Sequence, residues 1–388
     1  MSFLNQLLRG KKVEWQPLGD ITNYEQPTKY LVESKNYSNK FKTPVLTAGK
    51  TFILGYTDET EGIYKASENP VIIFDDFTTA NKWVDFDFKA KSSAMKMITS
   101  KDEGKVLLKY IFYWLNSLPS GLVEGDHKRQ WISKYSMKLF PIPELKIQKE
   151  IVRILDSFTE LTTELNAELT ARKHQYSYYR EQLFIFEESE VKKEKLGEIG
   201  EFQRGKRFVK TDLISEGVPT IHYGEMYTHY GTWANETISF VSEELVNNKK
   251  LRVAEKGDVV IVAAGETIED IGMGTAWLGD EGVVIHDACF SFRSSLNPKY
   301  VAYYTRTRQF HDQIRRHISS GKISSINSKG LSKVLIPVPS KEVQERIVSI
   351  LDKFDVLTSS ISEGLPKEIE LRRKQYEYYR EMLLSFPN

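Results

Sequence analysis

The sequence contains one cysteine, Cys289, in 388 residues. A single thiol can form neither an intramolecular disulfide nor a metal cluster, and we interpret it as a small buried hydrophobic side chain. The chain also lacks an apolar run of signal-peptide length near its N-terminus. Nor does any stretch approach the roughly 20 apolar residues of a membrane span. These absences predict a cytoplasmic protein that does not enter a membrane.

An excess of charge of one sign is missing as well, because 54 Lys and Arg residues face 53 Asp and Glu residues, for a net charge of +1. No global positive field therefore points to nucleic acid, and a surface that binds it must be a local cluster of Lys and Arg. The hydrophobic fraction of 40% is enough to build cores. At this length we expect two or three domains.

Motifs for several common chemistries are also absent. The segment at Asn69-Pro70 lacks the Asn/Asp-Pro-Pro-aromatic motif expected of an amino-group methyltransferase, and Gly272-Met-Gly274 is too short for a dinucleotide loop. No G-x-x-x-x-G-K-[ST] phosphate loop occurs, and the seven histidines show no H-E-x-x-H spacing. The sequence thus predicts a non-catalytic chain that itself binds no cofactor.

One pattern supports an enzyme as an alternative. Asp76, followed by Asp87 and Lys89, has the loose form of a metal-dependent nuclease, in which two carboxylates hold Mg²⁺ near a lysine. However, acidic residues that alternate with Phe86 and Phe88 are also typical of a half-buried strand, and the second half of the chain has no counterpart. A nuclease acting alone and a structural scaffold without base specificity are the alternatives to the interpretation below.

The main feature that is present is an internal repeat. The matched segments are 18–21 with 196–199, 109–113 with 299–303, 140–143 with 336–339, and 172–181 with 372–381. The order is preserved and the offset only grows, from 178 through 190 and 196 to 200. Residues 1–190 and 191–388 are therefore two copies of one unit, with insertions in the second copy.

Each copy ends in a long apolar stripe with steps of three and four residues, from Ile147 to Leu183 and from Val343 to Leu383. Such stripes predict two amphipathic helices, and the Pro-x-Pro before each stripe marks where its helix begins. Because two related helices can bury their stripes against each other, we predict an antiparallel two-helix coiled coil with a pseudo-two-fold axis. The alternative is that each helix packs on its own globular half.

The two helices differ at one place. The second copy contains Glu363-Gly-Leu-Pro366, which predicts that one helix ends there and another begins at Pro366. The first copy instead has a four-residue cadence of Glu-Leu pairs at 160, 164 and 168. Four residues of helix add about 6 Å and roughly 40° of rotation. This helix would therefore set the separation of whatever the two inserts hold.

The inserts before the helices, 30–105 and 210–290, share almost nothing, and strand-like and helix-like patterns alternate in both. We predict an α/β (α+β) fold in which two globular domains are joined by two long antiparallel helices. The predicted divisions are a first globular domain 1–143, a central helical region 144–190, a second globular domain 191–339 and a C-terminal helical region 340–388.

Local basic clusters occur in both halves, and Gly125 and Gly321 place a basic loop before each Pro-x-Pro. Lys and Arg could neutralise phosphates there, while Arg and His could reach base edges. Each cluster alone is typical of a solvated surface, but its position in a repeat favours function. The candidate DNA-binding residues are Lys89, Lys91, Lys96, His127, Lys128, Arg129, Arg204, Lys206, Arg207, Arg315, Arg316 and Lys322.

On these residues the chain resembles the specificity subunits of type I restriction–modification systems. The motifs are Ile151-Val-Arg-Ile-Leu-Asp156 and Ile347-Val-Ser-Ile-Leu-Asp352, each after a Pro-x-Pro, the two QYxYYRE runs and the two Leu-Gly-acid-Ile starts. The resemblance covers essentially the whole chain. The Glu-Leu cadence and the first insert are similar to the type IC branch.

The resemblance implies a subunit whose two variable target-recognition domains each read one part of a split double-stranded DNA site. It also implies that the repeated helices dock two methyltransferase subunits, which bind S-adenosylmethionine and methylate adenine. Two restriction subunits, ATP-driven translocases with nuclease activity, would join them. S-adenosylmethionine, ATP and Mg²⁺ would then be bound by partners. Base-reading residues are not carried over, because the inserts share no motif.

Overall fold

The computed structural model describes residues 3–8, 10–49, 51–119, 129–187, 189–319, 321, 323–360 and 362–386. The chain forms two compact units. Unit 1 consists of Met1–Asn166 and Glu368–Asn388, and unit 2 consists of Ala167–Lys367. The boundaries of the units fall inside both predicted helical regions, so each unit contains one globular part and helical segments from both copies of the repeat.

Unit 1 is built on a four-stranded and a three-stranded sheet. The first has the strand order Thr22–Glu25, Met95–Ser100, Val71–Asp75, Asn81–Val84, and the second Ile53–Thr57, Thr43–Leu46, Lys89–Ala90. Glu14–Pro17 pairs with Leu139–Ile142. The helical elements of this globular part are Phe3–Leu8, Leu18–Ile21, Pro27–Tyr30, Leu108–Ser117 and Trp131–Tyr135. Every residue of Val71–Asp75 is buried, as its apolar run predicts.

Unit 2 is built on a five-stranded and a four-stranded sheet. The first has the order Gly200–Arg204, Cys289–Ser294, Val259–Val262, Gly274–Trp277, Trp233–Ala234, and the second Ser239–Val241, Val218–Ile221, Val283–Ile285, Val253–Ala254. Two ribbons pair Lys193–Lys195 with Leu335–Pro337 and Ala264–Gly265 with Ser324–Ser325. The helices are Leu196–Ile199, Lys210–Asp212, Glu225–Thr228, Glu243–Lys249, Pro298–Tyr304, Arg308–Arg315 and Ser328–Leu331. Both units mix helix and sheet, which confirms the predicted fold class.

The long helices follow the apolar stripes. The central helix is continuous over Leu145–Gln182, whereas the C-terminal stripe is divided into Lys341–Ser359 and Gly364–Leu384. The predicted break is present, although the second helix begins at Gly364 rather than Pro366. Gly364 has a φ of +76°, and a Cβ there would lie 2.3 Å from the Val356 carbonyl oxygen. The break between the two helices therefore requires glycine at this position. No helix in the described parts of the chain is both long and apolar enough to cross a membrane.

A buried glutamine ties each helix to its globular part in the same way. Gln148 donates to the Pro143 carbonyl oxygen at 2.8 Å and accepts from the Leu107 amide at 3.0 Å. Its repeat partner Gln344 donates to the Pro339 carbonyl oxygen and accepts from the Asn297 amide, both at 2.9 Å. The side chain thus satisfies backbone groups that would otherwise be buried without partners.

A tyrosine and a lysine in each unit meet the aspartate of the repeated Ile-Leu-Asp motif. Tyr303 donates to Asp352 at 2.7 Å, and Lys299 Nζ lies 2.5 Å from the same carboxylate. In unit 1 the Tyr113 hydroxyl donates to Asp156, and Lys109 Nζ lies 3.1 Å from it. We call three features together the frame of each unit: these contacts to the aspartate, the buried glutamine, and one two-stranded ribbon. The ribbon is Glu14–Pro17 with Leu139–Ile142 in unit 1 and Lys193–Lys195 with Leu335–Pro337 in unit 2. All three features occur in both units, so the frames are equivalent.

The frames also pair their helices. In unit 1, Phe158 of the central helix stacks on Tyr379 of Gly364–Leu384. Both segments contribute to the unit 1 core, with Ile151 and Leu155 in one cluster with Leu383. In unit 2, Phe354 stacks on Tyr176 of the central helix at 5.9 Å. The two apolar stripes are therefore buried partly against each other and partly on the globular parts.

Candidate nucleic-acid interface

Two of the predicted DNA-binding lysines, Lys89 and Lys96, are buried in unit 1 beside acidic groups. Lys89 Nζ lies 2.5 Å from the Glu59 carboxylate. Lys96 is only 1% exposed, and its Nζ lies 3.7 Å from Asp76. The expectation that both ammonium groups lie on a basic surface is therefore corrected. Each lysine balances a carboxylate inside the protein, where an unpaired charge would be costly.

The other unit 1 candidates differ in accessibility. Lys91 is half-buried, with its Nζ 5.7 Å from the ring centre of Tyr37. Arg129 is exposed and directly precedes the buried Gln130. His127 and Lys128 lie outside the described residues. In the described part of unit 1, Lys91 and Arg129 are thus the predicted cations that solvent can reach, and their contact with DNA stays a prediction.

The three side chains of the nuclease pattern are each bound to a different partner. Besides facing Lys96, Asp76 accepts from the Trp131 amide at 2.8 Å. Asp87 accepts from Lys65 at 2.8 Å, and this bond, with a second from Ser67, lowers the pKa of the carboxyl group. Lys89 faces Glu59. The described residues hold no group of three His, Cys, Asp or Glu side chains that could bind a metal ion, so the structure gives this pattern no support.

Unit 2 contains a concave site that includes two of the predicted cations, and we call it the unit 2 cleft. Its volume is about 540 Å³. Its charged and aromatic lining residues are Arg204, Arg207, Phe208, Lys210, His222, Tyr223, Glu266, His286 and Asp287. Cations therefore share one site with four aromatic rings.

The topology of unit 2 explains how the cleft forms. Val218–Ile221 and Val283–Ile285 are parallel neighbours, and His222 and His286 directly follow their carboxyl ends. Parallel strands present their carboxyl ends at one edge, where open α/β sheets often bind ligands. Gly205 brings the basic segment against this edge, because a Cβ there would lie 2.1 Å from the His286 carbonyl oxygen. The glycine thus permits the close approach of two backbones.

Burial lowers the pKa values of both histidines, which favours their neutral forms. His286 Nδ1 accepts from the Ala288 amide at 3.1 Å, and Nε2 donates to the Phe208 carbonyl oxygen at 3.0 Å. These bonds place the proton on Nε2. The Asp287 carboxylate, 3.1 Å from Nδ1, therefore faces a neutral ring rather than an imidazolium. His222 Nδ1 accepts from the Gly224 amide at 3.3 Å, which leaves its Nε2–H as a donor.

The remaining unit 2 candidates have other surroundings. Lys206 donates to the Lys249 carbonyl oxygen at 3.2 Å. Arg315 and Arg316 are exposed, and Arg315 lines a smaller cavity of about 200 Å³ with Glu269 and His311. Lys322 lies outside the described residues. The structure therefore gathers Arg204 and Arg207 in the cleft and places Arg315 at a different cavity.

Sequence reasoning missed Lys210, His222, Tyr223 and His286. A weak signal for the histidines exists, since an apolar strand pattern opened by glycine ends in Ile-His at 217–222 and again at 282–286. It does not reveal that the two strands are parallel neighbours, which is what brings the rings together.

A family model for the type I restriction modification DNA specificity domain matches the chain twice, at residues 11–172 and 188–371. The type I restriction enzyme EcoR124I/EcoR124II specificity subunit of Escherichia coli is 51% identical over 398 aligned residues, covering 100% of this chain and 98% of that protein.

Two solved structures are similar in fold. The S subunit of a type I restriction–modification system from M. genitalium matches with a TM-score of 0.55 at 16% identity, covering 98% of both chains. A chain from a structural study of complex assembly and conformational transition of the type I R-M system matches with a TM-score of 0.59, also at 16% identity, covering 97% of this chain and 98% of that one. At this identity the likeness concerns the fold.

Proposed function

The chain belongs to the family of type I restriction–modification DNA specificity subunits, and from this premise we propose that its two units each read one block of a split double-stranded DNA site. The equivalent frames hold the readers, and the unmatched inserts do the reading. The proposed contacts to DNA are the predicted residues whose cations are accessible, namely Lys91, Arg129, Arg204, Arg207, Arg315 and Arg316.

The observation that carries this proposal is that two family matches coincide with two equivalent frames that hold different inserts. Gln148 and Gln344 make matching bonds at the starts of the repeated helices. The sheets that follow from the inserts differ in strand number and order. The equivalent frames therefore fit one shared role, which is to hold the readers. The two different inserts fit two different recognition roles.

We further propose that each frame docks one methyltransferase subunit, so that two bind, and that two restriction subunits join the complex. Support comes from two tyrosines at one repeat position, Tyr178 and Tyr378, which are 60% and 63% exposed. Aromatic side chains are enriched in protein–protein interfaces. Catalysis, with its S-adenosylmethionine, ATP and Mg²⁺, would belong to the partners, and this chain would act in the cytoplasm as a non-catalytic subunit that binds no cofactor.

The central helix is the proposed spacer between the two blocks. Its segment 157–182 would span roughly 39 Å, which is near one turn of DNA at about 34–36 Å. Deleting residues 164–167, one Glu-Leu unit, should therefore change the spacer by one or two base pairs. Replacing Glu164, Leu165 and Asn166 with alanine, beside the existing Ala167, keeps the helix length and is the matched control.

The test is long-read detection of methylated adenines in a host that expresses the chain with its methyltransferase subunit. The expected result is a split motif whose spacer changes in the deletion strain and not in the alanine control. An unchanged spacer in the deletion strain would contradict the spacer role. Plasmid cleavage by the purified chain with Mg²⁺ would favour the nuclease alternative. Co-purification with the methyltransferase but no sequence-dependent retention of DNA would favour the scaffold.

A further inference from the structure

We propose that the unit 2 cleft holds one unstacked nucleotide of the target DNA, with the base against the aromatic wall and the phosphate at the cationic mouth. The inference rests on the proposed function, because it requires that unit 2 meets DNA.

The wall of the cleft is suited to the face of a base. The ring of His222 lies 4.6 Å from that of Tyr223 and 4.8 Å from that of His286, measured between ring centres. Burial lowers the pKa of both imidazoles and so favours the neutral rings on which a base can stack. Stacking on such rings is available to every base, because every base has a π-face.

The mouth of the cleft is suited to a phosphate. Arg207 and Lys210 are exposed, and their side chains form no hydrogen bond or ion pair with the described residues. Arg204 is held in place, since its Nε donates to the Asp287 carbonyl oxygen at 2.9 Å. Two free cations beside a fixed guanidinium offer charge-assisted bonds to one backbone phosphate.

The polar groups inside the cleft are suited to the edge of a base. Among the described residues no acceptor takes the His222 Nε2–H, and the exposed Glu266 carboxylate at the rim can accept from an exocyclic amino group. A cavity of about 540 Å³ holds one nucleotide and excludes a duplex. The nucleotide must therefore leave the base stack, as it does in enzymes that bind an extrahelical base.

The experiment uses the chain in complex with its methyltransferase subunit and a duplex that carries the motif found in the host methylome. 2-Aminopurine is placed at each position of the block read by unit 2, since its fluorescence rises when it is unstacked. The expected result is a signal at one position besides the adenine that is methylated. His222→Ala with Tyr223→Ala should abolish that signal and weaken specific binding roughly tenfold to a hundredfold.

Three matched variants keep the test independent of folding. Tyr223→Phe retains the ring and should retain the signal. Arg207→Ala with Lys210→Ala alters only exposed side chains and should lower the slope of log K against log salt by about two. Lys256→Ala removes another exposed lysine of unit 2 and should change neither. In every variant the signal at the methylated adenine is the internal control for an intact complex.

The outcomes separate this inference from the function on which it rests. If the complex selects its motif but the methylated adenine is the only unstacked base, the cleft proposal is overturned and the proposed function stands. If no motif is selected at all, the proposed function fails. A free nucleotide has the same base and phosphate and is the other ligand that could occupy the cleft. If excess free deoxynucleotides displace the cleft signal without loss of DNA binding, the assignment of the cleft to DNA is overturned.

Discussion

Phe158 and Tyr379 stack with their ring centres 5.3 Å apart and their planes inclined by 25°. The same relationship recurs in unit 2, where Phe354 and Tyr179 stack at 5.5 Å and 26°. Positions 158 and 354 match in the repeat, as do 179 and 379. Each unit therefore completes its helix pair with a segment from the other copy of the repeat.

We expect the Phe158–Tyr379 pair to show an energetic coupling of about 0.5–1.5 kcal/mol in a double-mutant cycle, because offset aromatic pairs contribute beyond the area they bury. Phe158→Leu, Tyr379→Leu and the double variant are compared by urea unfolding. The control is a second cycle in which Tyr378→Leu, at the exposed neighbouring position, is used instead of Tyr379→Leu. The losses of unfolding free energy caused by Phe158→Leu and Tyr378→Leu should simply add. Additivity for the stacked pair as well would contradict the role we give it.

Gln148→Leu should destabilise unit 1 more than Gln344→Leu destabilises unit 2. Gln148 makes three bonds to the backbone, to Pro143 and Lys105 carbonyl oxygens and from the Leu107 amide, whereas two are present at Gln344. Each buried group left without a partner costs about 1–3 kcal/mol. Thermal unfolding of the two variants measures the difference, and equal losses would show that the extra bond has no net effect.

Lys96→Met should destabilise the fold by about 3–5 kcal/mol, because it leaves the Asp76 carboxylate buried without its cation. Adding Asp76→Asn should recover part of the loss. The half-buried Lys91 serves as the control, since Lys91→Met should change stability by only about 0.5 kcal/mol or less. A stable Lys96→Met protein with weakened DNA binding would restore Lys96 as a direct DNA contact.

Cys289 should not react with a thiol reagent at pH 8 until the protein unfolds. Burial, together with the nearby Asp287, raises the pKa of its thiol to about 12. The folded state therefore keeps the thiol proton, whereas the unfolded chain loses it near pH 8.5. The protonated thiol's contribution to the free energy of unfolding is complete below pH 8.5 and is lost as the pH rises toward 12. Between pH 8 and 10 the native protein should lose stability relative to Cys289→Ala. A parallel pH dependence of the two proteins would show that the thiol is not protected.

The frames could be predicted from the sequence because their information is local and occurs twice. The apolar stripes at 147–183 and 343–383 specify helices by spacing alone, and Glu363-Gly-Leu-Pro366 marks the break. Even the aspartate that Tyr303 meets lies in a motif that the repeat singles out. The sequence does not predict which helical segment of one copy packs in the unit formed by the other copy.

The recognition surfaces were less predictable because burial and pairing there depend on distant residues. Lys89 looks exposed in its own short segment, yet its partner Glu59 comes from another part of the insert. His222 and His286 meet only because two short strands happen to be parallel neighbours. Neither fact follows from spacing or composition, so a prediction of DNA-binding cations by residue type includes lysines that are buried, such as Lys89 and Lys96.

The discontinuity of unit 1 has a consequence for biosynthesis. A chain made from its N-terminus contains all residues of Ala167–Lys367 before Glu368–Asn388 has been added. Ile151 and Leu155 share their cluster with Leu383 and Leu384. Of the two units, the one whose synthesis begins first is thus the last to close. The part of its core that packs on Leu383 and Leu384 stays open to water or to chaperones until residues 368–388 have emerged from the ribosome.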